Sequence, residues 1–183
     1  MSKTKFLSEV FKSKGTIGAL SPSSSYLAKK MLDPIDFSVA KCIVEYGPGT
    51  GVFTKKMLHK MLPQSLLLVF EINPIFCEEL KKINDSRLII IEDSAEKIGD
   101  YLKKYSFEKA DYVVSSLPFA MIPDEIVNSI LKNSNQFLSE KGKYIQFQYS
   151  QNALSKLKSI FPKIETQFTL LNIPPAFIFS CNK

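Results

Sequence analysis

The chain has 183 residues, of which 45% are apolar and 23% charged, a balance typical of a folded domain that excludes a disordered chain. Its apolar runs, such as 66–70, are too short to cross a bilayer, and no signal-peptide core follows the N-terminal lysines. Cys42, Cys77 and Cys181 lie far apart, so we expect no metal site and no disulfide framework, as suits a cytoplasmic protein.

The net charge of +6 is unevenly distributed along the chain. Residues 1–30 contain six lysines and one glutamate, a net +5, so the remaining 153 residues carry only +1. A basic segment of this kind favours an anionic partner, either the phosphate backbone of RNA or an acidic lipid surface. A solvated helix that only keeps the protein soluble would have the same composition.

From residue 41 onward, short apolar strands alternate with helical stretches. This alternation predicts an α/β fold with a doubly wound, Rossmann-like, mostly parallel sheet. The last two strands have only a short connection and must be antiparallel. We expect one domain over 1–183, with 1–40 as an N-terminal helical lid or interface segment. The predicted strands are 41–46, 65–70, 87–91, 110–115, 143–149, 165–171 and 176–181, and the predicted helices are 52–61, 74–83, 95–104, 123–138 and 152–160.

The first chemical signal is the glycine-rich turn 47–51 (GPGTG), which lies between the first strand and the first helix after it. Glycines let the backbone turn sharply, so that a ligand can lie against main-chain N–H groups at a helix N-terminus. The spacing is G-x-G-x-G and does not meet the G-x-G-x-x-G dinucleotide fingerprint. The turn therefore argues against NAD and FAD.

Polar residues also follow the next three strands. Glu71 comes 24 positions after Gly47, close to the place where an acid about 20 residues beyond such a turn accepts two ribose hydroxyls. Asp93-Ser94 follows the third strand, where a carboxylate can accept from an adenine amino group. Ser115-Ser116 ends the fourth strand. These loops are expected to line one crevice at the carboxyl ends of the strands.

Together, these motifs over residues 41–149 resemble the class I S-adenosylmethionine-dependent methyltransferases. The resemblance implies the class I methyltransferase fold, with S-adenosylmethionine as the cofactor. It places the methionine part at Gly47, Gly49 and Gly51, the ribose at Glu71, the adenine at Asp93 and Ser94, and the methionine amino group at the Ser115 backbone, with Glu45 anchoring the glycine loop.

The segment Ser116–Phe119 (SLPF) is expected to border the methyl acceptor. Its Leu-Pro-Phe part resembles the ribosomal RNA adenine dimethyltransferases, in which the motif opens with Asn or Asp, whose oxygen accepts from the amino group being methylated. Here Ser116 takes that position, and the chain contains a single arginine, Arg87, although RNA sites favour arginine. RNA adenine-N6 methylation is therefore the alternative reading.

The N-terminal segment favours a lipid acceptor. Apolar residues recur at helical spacing within 1–14 among four lysines, as in helices that lie on anionic membranes, although a helix packed on its own domain has the same pattern. The stretch 15–28 and the late stretch 172–176 (NIPPA) resemble bacterial phospholipid N-methyltransferases. This resemblance implies a peripheral enzyme that methylates the amine of phosphatidylethanolamine.

Three residues are the candidate catalytic residues under this reading: Tyr26, Ser116 and Phe119. Tyr26 would lie near the amine within a lid formed by 21–26, and Phe119 would form a wall of the acceptor site, although both could equally be packing residues. No residue is identified as a general base. A cofactor-binding module without catalytic activity is the non-enzymatic alternative.

Overall fold

The computed structural model describes residues 25–183. The predictions for the helix within 1–14, for most of the stretch 15–28 and for most of the lid 21–26 concern residues outside this range. Seven strands form one sheet: β1 (Cys42–Tyr46), β2 (Leu66–Phe70), β3 (Leu88–Ile91), β4 (Ala110–Ser115), β5 (Leu138–Gln148), β6 (Lys163–Thr169) and β7 (Ala176–Asn182). Six α-helices accompany them in the described part: α1 (Ser25–Leu32), α2 (Val52–Lys60), α3 (Pro74–Lys81), α4 (Ile98–Lys104), α5 (Asp124–Phe137) and α6 (Ala153–Lys158).

The strand order is β3-β2-β1-β4-β5-β7-β6. Strands β1 to β5 pair in parallel, whereas β7 is antiparallel to both β5 and β6. The predicted doubly wound sheet and its antiparallel C-terminal pair are confirmed. Because β6 runs in the same direction as β5, it ends at the sheet edge where β1 to β5 also end, which we call the carboxyl edge.

Alternate residues of the central strands enter two cores on opposite faces of the sheet. Val44 and Tyr46 face a core shared with α4, α5 and α6, whereas Ile43 faces a core shared with α1, α2 and α3. This alternation follows from the period of two in a strand, which points successive side chains to opposite faces. It also directs Glu45 toward the side of α2.

Most predicted boundaries differ from the structure by one or two residues. The strand predicted at 165–171 is Lys163–Thr169 in the structure, so Leu170 and Leu171 lie in the loop after it. Two further differences have local causes. Strand β5 begins at Leu138, before the predicted 143, because its first residues pair with β4 across an irregular register at Ala110. The predicted helix 95–104 opens with a 3₁₀ turn, Ala95–Lys97, because the Ser94 hydroxyl accepts from the Glu96 N–H and caps that turn.

Candidate active site

The strand register brings the predicted site residues together at the carboxyl edge. The Gly47 N–H donates to the Phe70 carbonyl at 3.0 Å, and the Ser116 N–H donates to the Tyr46 carbonyl at 2.9 Å. The Glu71 N–H donates to the Ile91 carbonyl at 3.0 Å, and Asp93 follows two residues later. The turns after β1, β2, β3 and β4 therefore lie side by side at the carboxyl edge, and we call the space that they border the crevice.

The glycine turn, residues 47–51, has a backbone that disfavours other residues. Gly47, Gly49 and Gly51 have φ angles of +64°, +55° and +79°, in the left-handed region that glycine adopts without steric penalty. A Cβ on Gly47 would meet the Leu117 side chain at 3.2 Å, whereas one on Gly49 would have no atom of the described residues, beyond its chain neighbours, within 4 Å. The backbone at Gly49 is therefore open to a bound molecule, and the start of the turn packs against the loop after β4.

Glu71 lies next to the glycine turn with its carboxylate oriented by the backbone. Its Oε2 accepts from the Gly49 N–H at 3.2 Å, its Oε1 accepts from the Asn73 N–H at 2.8 Å, and the residue is only 7% exposed. Burial raises the pKa of Glu71, and the hydrogen bonds from the backbone N–H groups oppose that shift. Each oxygen has further lone pairs, so the carboxylate can also accept from a vicinal diol.

Glu45 is a buried acid directly beneath the glycine turn. Its Oε2 accepts from the Thr54 hydroxyl at 2.6 Å, which links β1 to the first turn of α2. Burial and, to a smaller extent, the nearby Glu71 charge raise the pKa of Glu45 to about 8 against the opposing effect of the Thr54 hydrogen bonds. Glu45 is therefore protonated at neutral pH. Its Oε1 has no hydrogen-bond partner among the described residues.

Asp93 and Ser94 lie at the end of β3 in a polar cluster. The two oxygens of Asp93 accept from the Ser94 N–H at 2.8 Å, from Lys97 Nζ at 2.8 Å and from the Tyr101 hydroxyl at 3.1 Å. Burial acts to raise the pKa of Asp93, but the hydrogen bonds, above all that from Lys97, outweigh it and the net pKa is lowered. The carboxylate is therefore ionised and fixed in position near neutral pH.

The acceptor loop, residues 116–119, is held from below by two amides of β5. Gln146 Nε2 and Gln148 Nε2 donate to the Leu117 carbonyl at 3.1 and 2.8 Å, and the Gln146 oxygen accepts from the Tyr144 hydroxyl at 2.9 Å. Neither glutamine was predicted from the sequence as a functional residue. Two amides two positions apart among the apolar residues of 144–149 would have indicated that one strand face meets polar groups.

Ser115 and Ser116 begin this loop. Ser115 is fully buried, and its hydroxyl accepts from the Leu117 N–H at 3.4 Å. The Ser116 hydroxyl oxygen is buried and has no hydrogen-bond partner within the described chain. A buried hydroxyl without a partner is uncommon, which makes Ser116 a candidate contact for a bound acceptor.

The other two candidate catalytic residues occupy different environments. Tyr26 is 56% exposed near the start of α1, whereas Phe119 is 3% exposed and packs in the core with Tyr46 and Ile122. Because Phe119 is buried in this core, it anchors the end of the acceptor loop. Its role as a wall of the acceptor site and the role of Tyr26 near the amine stay predictions.

A separate groove between α1 and α2 is lined mainly by basic side chains, including Lys29, Lys55, Lys56 and Lys60. It lies along the helices and does not include the residues of the crevice. Over residues 25–183, no group of three or more potential ligand side chains could hold a metal ion. No helix in the same range is long and apolar enough to cross a membrane.

A doubly wound sheet with this glycine turn and an acid after β2 is the architecture of the class I S-adenosylmethionine-dependent methyltransferases. Within that class, the chain belongs to the ribosomal RNA adenine dimethylase family, whose model matches residues 23–179. The resemblance inferred from the sequence is confirmed, and S-adenosylmethionine is the cofactor.

Two kinds of relative are similar to this chain. An ornithine lipid N-methyltransferase of Singulisphaera acidiphila is 28% identical over 179 residues, which cover 96% of this chain and 93% of that protein. The ribosomal RNA small subunit methyltransferase A of Borreliella burgdorferi is 28% identical over 151 residues, which cover 79% of this chain and 48% of that protein. The chain therefore spans about half the length of the second relative.

Solved structures share the fold. The precorrin-6y C5,15-methyltransferase of Geobacter metallireducens superimposes with a TM-score of 0.70 at 13% identity, covering 87% of this chain and 89% of that one. Human methyltransferase-like protein 13, solved in complex with SAH, has a TM-score of 0.61 at 16% identity, covering 85% of this chain and 79% of that one. At these identities the likeness shows the fold alone.

Proposed function

We propose that this methyltransferase N-methylates the amine of a membrane amino-lipid, such as phosphatidylethanolamine or an ornithine lipid. The observation that carries the proposal is the identity of the first residue of the acceptor loop, Ser116. Ser116 presents a small buried hydroxyl that has no hydrogen-bond partner among residues 25–183, where RNA adenine enzymes place an amide or carboxylate that accepts from the adenine amino group. A short hydroxyl leaves more room for an alkyl amine and provides no rigid acceptor for a planar base.

The cofactor roles belong to the same proposal. Glu71 would accept from the ribose hydroxyls, Asp93 and Ser94 would border the adenine, and the Ser115 backbone would bind the methionine amino group. The three glycines would border the methionine part. The open space at Gly49 and the oriented Glu71 carboxylate support this fit, because a ligand can approach the backbone and the acid from the same side. Glu45 would keep the turn fastened to α2.

The lipid amine must lose a proton before its nitrogen can attack, and no general base is assigned among the described residues, so that proton would go to solvent. When bound, the cofactor would supply an electrophilic methyl group on a sulfonium for transfer to the amine nitrogen, leaving a neutral thioether. The task of the chain is to orient the two reactants and exclude water. The two glutamines beneath Leu117 fix the acceptor loop for this purpose.

The Singulisphaera relative supports a lipid acceptor, because that protein is an ornithine lipid N-methyltransferase and the similarity extends over nearly all of both chains. Peripheral association with the inner face of the membrane through 1–14 is part of the proposal and rests on the sequence alone. RNA adenine methylation is the second candidate. The family match and the Borreliella relative favour it.

The acceptor is tested by incubating the protein with methyl-labelled S-adenosylmethionine and, separately, phosphatidylethanolamine vesicles, ornithine lipid vesicles and ribosomal RNA. We expect label in at least one lipid and none in RNA, and the preferred vesicle identifies the headgroup. Glu71→Ala serves as the low-activity control, since it should lose cofactor binding. Label in RNA with none in either lipid would refute the lipid proposal.

A further inference from the structure

Three large aliphatic side chains project from the connection between β6 and β7. Leu170, Leu171 and Ile173 are 71%, 60% and 83% exposed, and we call them the apolar tip. Exposed aliphatic residues that are adjacent on one loop mark a contact surface more often than scattered ones do. The apolar tip is therefore a candidate contact surface for an apolar partner.

The loop that carries the apolar tip is fixed by polar contacts. Asn172 is buried, and its Nδ2 donates to the Pro174 carbonyl at 2.7 Å. The Leu171 N–H donates to the Thr169 hydroxyl at 3.2 Å. Burial raises the pKa of Tyr149, and a hydrogen bond between its side chain and that of Asn172 opposes the shift. A buried Asn beneath exposed aliphatic residues means that the loop displays them in a defined position.

The apolar tip lies at the same sheet edge as the crevice. Thr169 pairs with Ala176 at the end of β6, and Gln148 pairs with Phe177 at the end of β5. Gln148 in turn donates to the acceptor loop through the Leu117 carbonyl at 2.8 Å. A surface that covers the apolar tip would therefore lie beside the place where the acceptor enters.

The surroundings of the apolar tip match a bilayer interface. Lys30 of α1 lies beside it, with Nζ 3.3 Å from the Phe168 carbonyl, and Tyr149 and Tyr26 are exposed on neighbouring elements. Neither 144–155 nor 166–176 contains an acidic residue. Tyrosine and lysine next to aliphatic residues is the composition of protein surfaces at the headgroup level.

We infer that the apolar tip inserts into the acyl-chain region of an anionic bilayer and so presents the carboxyl edge to lipid headgroups. The inference rests on the proposed lipid function and adds the surface by which the site reaches its substrate. An RNA partner would instead need cationic or stacking side chains at these positions. Leucine and isoleucine provide neither.

The absence of tryptophan from the chain allows a position-specific test. In full-length protein, Ile173→Trp introduces a single reporter at the apolar tip, and Val39→Trp introduces one at an exposed residue before β1, at the opposite edge of the sheet. With vesicles of phosphatidylcholine and phosphatidylglycerol that contain brominated acyl chains, we expect blue-shifted, quenched emission from Ile173→Trp and unchanged emission from Val39→Trp. Equal emission of Ile173→Trp with and without vesicles overturns the inference.

A second variant links insertion to activity. The triple variant Leu170→Ser, Leu171→Ser, Ile173→Ser should reduce vesicle affinity by about tenfold or more and leave S-adenosylmethionine affinity unchanged. Methylation of amino-lipid in vesicles should fall, whereas methylation of a short-chain, monomeric amino-lipid should be retained. Undiminished vesicle affinity would overturn the inference, as would a wild-type dimer that the triple variant converts to monomer. Failure of the wild type to methylate either form of lipid would instead refute the proposed function.

Discussion

Replacing Glu71 with alanine is expected to weaken S-adenosylmethionine binding by about 100-fold. The variant would lose the two charge-assisted hydrogen bonds that we propose between Glu71 and the ribose, each contributing about 1.5 kcal/mol, and about 1.4 kcal/mol corresponds to a factor of ten. Equilibrium dialysis with labelled cofactor measures the change. Glu92→Ala is the matched control, because Glu92 is an exposed glutamate one residue beyond β3, and its removal should leave the affinity unchanged.

Glu71 also accepts from the Gly49 and Asn73 N–H groups, so its removal could act only by loosening the turn. Two S-adenosylhomocysteine ligands, one intact and one lacking the 2′-hydroxyl, separate the two effects. The wild type should bind the intact ligand about tenfold more tightly, and Glu71→Ala should hardly distinguish them. Equal discrimination by both proteins would contradict the placement of the ribose at Glu71.

Replacing Glu45 with glutamine is expected to remove much of the pH dependence of stability between pH 6 and 9. The pKa of Glu45 in the folded chain is raised to about 8 from an ordinary 4.5. Between these values the folded chain holds a proton that the unfolded chain has lost, so stability falls as the pH rises through this window. The contribution is fully present below the lower value and lost above the higher one, at no more than about 1.4 kcal/mol per pH unit.

Urea unfolding at about pH 6 and about pH 9 tests this expectation. Over that interval the free energy of unfolding of the wild type should fall by roughly 1 to 3 kcal/mol more than that of Glu45→Gln. Glutamine retains the shape of the protonated acid but does not titrate. Cys42 and Cys181 are also buried with raised pKa values near 12, but their contribution is common to both proteins. Glu92→Gln removes an exposed carboxyl as a charge control. An identical pH slope for wild type and Glu45→Gln would show that Glu45 is not protonated on folding.

The sheet and the location of the crevice could be predicted because they depend on local patterns. Apolar strands such as 65–70 differ from the helices between them in length and in turn residues, and parallel strands end at one edge by topology. Gly47, Glu71 and Ser116 each follow a strand directly, and Asp93 follows one after a single intervening residue. Their meeting at the carboxyl edge therefore requires no knowledge of distant contacts.

The support of the acceptor loop could not be predicted in the same way. The Leu117 carbonyl accepts from residues 29 and 31 positions further along the chain, and no local pattern couples those positions. The irregular register at Ala110 that lengthens β5 also depends on a neighbouring strand. The exposure of Leu170, Leu171 and Ile173 is equally invisible in the sequence, where an aliphatic run is as compatible with a buried strand end.

Calorimetric titration of the purified wild-type chain with S-adenosylmethionine and with S-adenosylhomocysteine tests the central claim most directly. Both ligands contain the adenosine that Glu71 and Asp93 are proposed to bind. We therefore expect each ligand to bind at one site per chain and to compete with the other for that site. No heat of binding from either ligand, with folded protein verified by circular dichroism, would contradict the account.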